Sequence, residues 1–146
     1  MSNFLERTIE RAKLDRKRIV LAEGEDIRSI KAASIIVEKD ICDVVLLGDI
    51  DKIKANAGDI SLDGIEIINP ETSPLTNNLI DKFYEIRKSK GLTFEEAENT
   101  IKNDYLYFGD MLVYMDYADG IVAGATQSSS DVLRAALKTV KTFLTI

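Results

Sequence analysis

Apolar positions along the 146-residue chain follow two alternating rhythms. RIVLAEG (18–24), DVVLLG (43–48), GIEIIN (64–69) and GIVAGA (120–125) are short, nearly continuous apolar runs. Runs of this length next to glycine are the mark of strands buried on both faces. Between them the spacing changes to that of a helix. Residues 3–15 place Phe4, Leu5, Thr8, Ile9 and Ala12 on one face, closed by the basic Arg16-Lys17-Arg18. Residues 26–39 place Ile27, Ile30, Ala33 and Ile36 or Val37 on another, and 50–58 form a shorter helix. Strands alternating with helices are a βαβ series, and right-handed crossovers lay such strands parallel between two helix layers. The expected fold is α/β, a three-layer α/β/α sandwich with a mostly parallel sheet.

The middle of the chain is more helical. NPETSP (69–74) holds both prolines and reads as a loop into a helix over about 75–90, with Pro74 and Leu75 in the entering turn. Gly91 ends that helix, and Thr93 with Glu96 three residues later has the spacing of a capping box. A further helix is expected over 103–118, its stripe of Phe108, Met111, Leu112 and Met115 facing the core. The last, over 128–144, would bury Leu133, Ala136, Leu137, Val140 and Leu144. The chain stops at KTFLTI without Gly, Pro or a polar tail, whereas domain boundaries are usually polar. That end reads as an interruption.

Length and composition narrow this picture. A chain of 146 residues suits a single domain, 1–146, able to bury a core without disulfides or metals. The net charge of −6 excludes the clustered cations of a non-specific nucleic-acid binder. A small anion remains possible, because a few local donors suffice to hold one. No apolar run is long enough to cross a bilayer, and the N-terminus is too charged for a signal peptide, so the cytoplasm is the expected compartment. Cys42 is the sole cysteine and reads as a small buried residue or an edge thiol. The absence of histidine removes Ser-His triads, His-ligated zinc and imidazole acid–base chemistry.

The stretch with candidate chemistry is ADGIVAGATQSSSDVLRAAL (118–137). Ser128-Ser129-Ser130-Asp131 has the spacing of a helix cap, and a helix N-terminus behind a buried strand also points free N–H groups at an anion. Ser130 and Arg134 lie four apart and share a face, where hydroxyl and guanidinium could meet one anion. A plain capped helix, with Arg134 paired to Asp131 or another acid, fits the same spacing. GIVAGA lacks both G-x-x-x-x-G-K-[ST] and G-x-G-x-x-G. AEGEDIR (22–28) also fails the dinucleotide pattern, although Gly24 at a strand end could bring the backbone close to a ligand.

RIVLAEGEDIRSIKAA, NPETSP, KGLTFEEAENTIKNDYLYFGDMLVYMDYADGIVAGA and SSSDVLRAALKTVKT together resemble the N-terminal half of phosphate acetyltransferase, or phosphotransacetylase. The resemblance runs in family order over nearly the whole chain. Its most specific part is the YFG…ADG-x-V-[AS]-G-A-x-x-[ST]-[ST]-x-D-x-[LV]-R-x-A-L block. The resemblance implies an isocitrate/isopropylmalate dehydrogenase-like fold of two α/β domains, here truncated. It implies reversible acetyl transfer between acetyl phosphate and coenzyme A in the cleft between those domains. Coenzyme A would be a substrate, with no permanently bound cofactor, no metal in the chemistry, and a homodimer as the usual assembly.

Carried onto this sequence, the resemblance places Ser128, Ser129 and Arg134 on the phosphate side of the cleft. Gly120, Gly124 and Ala125 would form the small-residue lead-in that lets the backbone approach. The family's aspartate base, a Ser-Arg pair and most coenzyme A contacts belong to a second half that the chain lacks, so the fragment alone is expected to be inactive. Two further departures are Ala135, where the family commonly has Pro, and Gln127, where it often has His or Asn. Alternatives within and beyond the class are a phosphate butyryltransferase-like enzyme and a non-catalytic coenzyme A/phosphate-binding regulatory domain, such as the C-terminal extension of malic enzymes.

Overall fold

The computed structural model describes residues 2–140. Its elements are α1 (Ser2–Leu14), β1 (Arg18–Leu21), α2 (Ile27–Glu38), β2 (Asp43–Leu47), α3 (Ile50–Ala57), β3 (Glu66–Ile68) and α4 (Thr76–Arg87). A 3-10 turn (Lys88–Lys90) follows, then α5 (Phe94–Asn103), α6 (Tyr105–Tyr114), β4 (Gly120–Val122) and α7 (Ser129–Lys138). The strands form one sheet in the order β3-β2-β1-β4, with every neighbouring pair parallel. The expected βαβ alternation is therefore present.

Successive strand residues face opposite sides of a sheet, and both sides are covered. Val20, Ala22, Val45, Leu47 and Ile68 pack with α4, α5, α6 and Ala135 of α7. Leu21, Val44 and Leu46 pack with Ile30, Ala33, Ile53 and Ala57 of α2 and α3. This gives the three layers that the uninterrupted apolar runs demand. Backbone bonds at both ends of Arg18–Asp119 pin the start of β4 to β1: the Arg18 N–H donates to the Asp119 carboxylate, and the Asp119 N–H to the Arg18 carbonyl, each at 2.8 Å.

Side-chain caps set most helix starts. Asp26, Asp49, Thr93, Asp104 and Ser128 each accept a backbone N–H in the first turn of the helix they precede. In the box at Thr93, the Thr93 hydroxyl accepts from the Glu96 N–H at 3.1 Å and donates to the Glu96 carboxylate at 3.0 Å.

Two helices differ from their expected extents. The one expected over 103–118 is α6, which starts after the extended cap Asp104 and ends at Tyr114. The Asp116 backbone turns left-handed (φ 61°), and the Tyr117 and Ala118 N–H groups both donate to the Leu112 carbonyl, closing the helix. Phe108, Met111 and Leu112 are fully buried as expected, but Met115 lies past the end and is 40% exposed. The helix over 128–144 is α7, and its buried face is not the expected one. Leu133 is 60% and Leu137 49% exposed, while Ala135 and Thr139 are completely buried and Val132 packs on the core. Ala136 and Val140 are half-buried. Leu144 and the apolar end at 141–146 lie outside the described residues.

Candidate functional site

The order β3-β2-β1-β4 means that the chain leaves β1 toward β2 and β3 and later returns on its other side. Between β1 and β4 the connections diverge, and open α/β sheets bind ligands at the carboxyl ends of strands beside such a point. A cleft of about 550 Å³ opens there. Its walls come from the segments just beyond β1 (Glu23, Glu25), β2 (Asp49), β3 (Asn69) and β4 (Thr126, Gln127), and from the α5–α6 junction (Asp104, Tyr105). Lys52 and Lys102 are the cleft's only cations among the described residues, against the carboxylates of Glu23, Glu25, Asp26, Asp49, Glu71 and Asp104.

Glu23 occupies the divergence point. It is 9% exposed, and its carboxylate accepts from the N–H groups of four consecutive residues. The bonds from Gly124, Ala125 and Gln127 measure 2.6, 2.9 and 2.9 Å. Thr126 donates both its N–H and its hydroxyl, the latter at 2.7 Å. Burial alone would raise the pKa of this carboxyl, but the donors from Thr126, Gly124 and Ala125 outweigh it and hold the group at about 2. Gly124 makes the arrangement possible with a φ of 120°, a conformation that side chains rarely allow.

The same loop is held from its other polarity. The Arg28 guanidinium donates to the Ala125 carbonyl at 2.6 Å while two of its nitrogens bond the Asp26 carboxylate, each at 2.9 Å. Elsewhere in the cleft wall, Glu25 accepts from the Asp49 N–H at 2.9 Å and from the Tyr105 hydroxyl at 2.8 Å. Burial, followed by the Glu25 carboxylate, pushes the Tyr105 hydroxyl above its ordinary range and keeps it protonated.

Ser128, Ser129 and Arg134 lie just beyond this loop, together on the exposed N-terminal turns of α7. The Ser128 hydroxyl accepts from the Asp131 N–H at 3.2 Å and lies 3.1 Å from the Ser130 hydroxyl. Arg134 is paired with Asp131 at 2.9 Å, so both the cap and the ion pair allowed by the spacing are present. The first amides of a helix have no intrahelical acceptor, so the end of α7 still offers donors to solvent.

The lead-in works differently from the expectation. The Gly124 and Ala125 amides donate to the Glu23 carboxylate. Gly120 lies inside β4, where an added Cβ would stand 3.2 Å from the Ile19 side chain. Gly24 is needed against β2: a Cβ there would meet the Leu47 carbonyl oxygen at 2.4 Å. Its closeness is to a neighbouring strand. Cys42 is half-buried, and burial raises its thiol pKa, the opposite of activation.

Glu23, Thr126 and Arg28 were not found by sequence reasoning. The one local signal was an ionisable residue closing a buried strand, while the groups it binds lie more than a hundred positions downstream.

Known proteins match this chain over nearly all of its length. The family model for phosphate acetyl/butaryl transferase covers residues 3–146. The phosphate acetyltransferase of Acetivibrio thermocellus is 51% identical over 140 residues, which is 96% of this chain and 42% of that protein. That of Thermoanaerobacterium thermosaccharolyticum is 44% identical with the same coverage. The structure of a phosphotransacetylase from Staphylococcus aureus superposes with a TM-score of 0.90 at 37% identity, over 99% of this chain and 44% of that one. The chain thus spans about two-fifths of the length of these relatives. With its family model, its sequence relatives and its superposed structure in agreement, the chain belongs to the phosphate acetyl/butaryl transferase family.

Proposed function

We propose that these residues form the phosphate-side wall of an acyltransferase that moves an acetyl group reversibly between acetyl phosphate and coenzyme A. The observation that carries this reading is the α7 N-terminus: the loop whose Thr126 and Gln127 line the cleft runs directly into the exposed Ser128 and Ser129 at the start of α7, with Arg134 exposed farther along the same helix. Acetyl is favoured over butyryl because the curated relatives are named for phosphate acetyl transfer.

In this reading the coenzyme A sulfur forms a bond to the acyl carbon as the bond from that carbon to the phosphate oxygen breaks. Phosphate leaves with the electron pair. Arg134 and the α7 amides hold the departing charge, and donors already in place at a developing charge lower the barrier. Arg134 must first exchange Asp131 for phosphate, because the two are bonded here. The base that takes the thiol proton belongs to the family's second half, coenzyme A is a substrate, and the whole enzyme is a homodimer.

Titration of the 146-residue chain with inorganic phosphate, followed by amide and Arg side-chain NMR signals, tests the wall. Shifts are expected at Ser128–Asp131 and at the Arg134 Nε, with Arg134→Gln weakening binding by about tenfold or more. Saturable shifts confined to other parts of the chain would refute it. With acetyl phosphate and coenzyme A the 146-residue chain is expected not to turn over, and measurable acetyl-coenzyme A formation would place the base within these residues.

A further inference from the structure

We propose that Glu23 is the built-in anion of the 124–127 loop, a positioning residue whose carboxylate gathers four successive amides and so sets the direction in which the chain enters α7. The inference deepens the reading above, since the wall it positions is the phosphate wall. The fastening, however, stands on geometry that involves no ligand.

Four N–H groups in a row converging on one point make a concavity with strong affinity for negative charge. Left empty, such a ring would hold its four N–H groups in place with only water for a partner, and the loop would lose what fixes its shape. Here both carboxylate oxygens are used: one accepts from Gly124 and Ala125, the other from Thr126, its hydroxyl and Gln127. Gln127 immediately precedes the Ser128 cap of α7. The carboxylate is therefore one residue removed from the first group assigned to phosphate.

The arrangement also separates two anions. With the ring filled by Glu23, an incoming phosphate cannot settle on the amides of 124–127 and is left with the donors of α7 and Arg134. Arg28 completes the fastening by holding the Ala125 carbonyl, so peptide groups of both polarities in the loop are tied to the β1–α2 segment. A neutral side chain cannot replace the carboxylate. A glutamine would turn an NH2 group toward N–H donors and leave at least one pair of them unbonded.

The test is amide hydrogen exchange on the 146-residue chain, with Glu23→Ala and Glu23→Gln as separate variants. In both, exchange at 124–127 is expected to accelerate by about tenfold or more, while amides of β1 and β2 keep their protection. Formate added to Glu23→Ala at constant ionic strength is expected to restore protection at 124–127, with no effect on the unsubstituted chain. Formate refills the ring, which a mere loss of packing would not permit. If Glu23→Ala does not fold, Glu23→Gln decides, since it preserves the shape while removing the charge and turning one acceptor oxygen into a donor.

Unchanged protection at 124–127 in a folded variant overturns the proposal, as does a formate effect of equal size on the unsubstituted chain. Inorganic phosphate affinity at Ser128–Ser130 is expected to fall about fivefold in Glu23→Gln. If the unsubstituted chain shows no phosphate shifts there, the phosphate reading fails while the exchange data still decide the role of Glu23.

Discussion

Gly24 shows how one position can be marked in a sequence for a reason that the sequence conceals. A glycine after a buried strand suggests a backbone brought close to something. The something is Leu47: an added Cβ would stand 2.4 Å from its carbonyl oxygen and 2.7 Å from its nitrogen. Backbone in the centre of a sheet cannot yield as a flexible side chain does. Gly24→Ala is therefore expected to destabilise the fold by about 2–3 kcal/mol, read from the midpoint of urea unfolding. Gly109 in the YFG stretch is a milder case, since a Cβ there would stand 2.5 Å from the terminal methyl of Ile121, a side-chain tip that can turn aside. Glu23, the neighbour of Gly24, was less legible. An acid at a strand end is an ordinary sight, and only the return of β4 beside β1 brings the amides that give it meaning.

The seventh helix is the element whose position was foreseen and whose orientation was not. Both Leu133–Leu137 and Val132–Ala135–Thr139 recur at helical spacing, and hydrophobicity alone favours the leucines. The structure buries the smaller set, with Ala135 and Thr139 at no exposure and the Thr139 hydroxyl bonded to the Ala135 carbonyl at 2.8 Å. Small residues on that side let α7 lie close to α6, to which it makes its main contacts. Two substitutions separate the alternatives. Leu133→Gln is expected to change stability by no more than about 0.5 kcal/mol, whereas Ala135→Leu is expected to cost about 1–3 kcal/mol by overpacking. Equal losses from both would show that Leu133 is buried after all. The sixth helix erred more simply, at its end. Met115 continued the apolar stripe on paper, but the left-handed turn at Asp116 stops the helix before it.

For the molecule as a whole, two buried carboxyl groups tilt stability in opposite directions with pH. Glu23 is held at about 2 against an ordinary 4.5, so the unfolded chain binds its proton more readily. Its contribution is complete above about pH 4.5 and is lost as pH falls toward 2. Asp110, buried in α6, is pushed up to about 7 chiefly by burial, opposed by the neighbouring Thr139 hydroxyl and aided by the nearby Asp104 carboxylate. Here the folded chain binds the proton more readily, so stability is lost as pH rises from about 4 to 7. Together they place their joint optimum near pH 4. Denaturation midpoints across pH 3–8 should show it, with Glu23→Gln flattening the acid limb and Asp110→Asn the decline above it. An unsubstituted chain with a flat profile between pH 4 and 7 would contradict the assignment to Asp110. At this level the fold class was legible in the chain, because burial on both faces writes itself into continuous apolar runs and helical spacing between them, each a local record. The cap at Thr93 and the local pairings of Ser128 and Arg134 could be read because their partners lie within a few residues, and the four strands because burial on both faces shows in their own apolar runs. Which face of α7 turns inward, what Gly24 touches and which amides Glu23 gathers are settled by contacts between segments far apart in the chain. Such contacts exist only once the sheet has ordered its strands, and no periodicity along the chain encodes them.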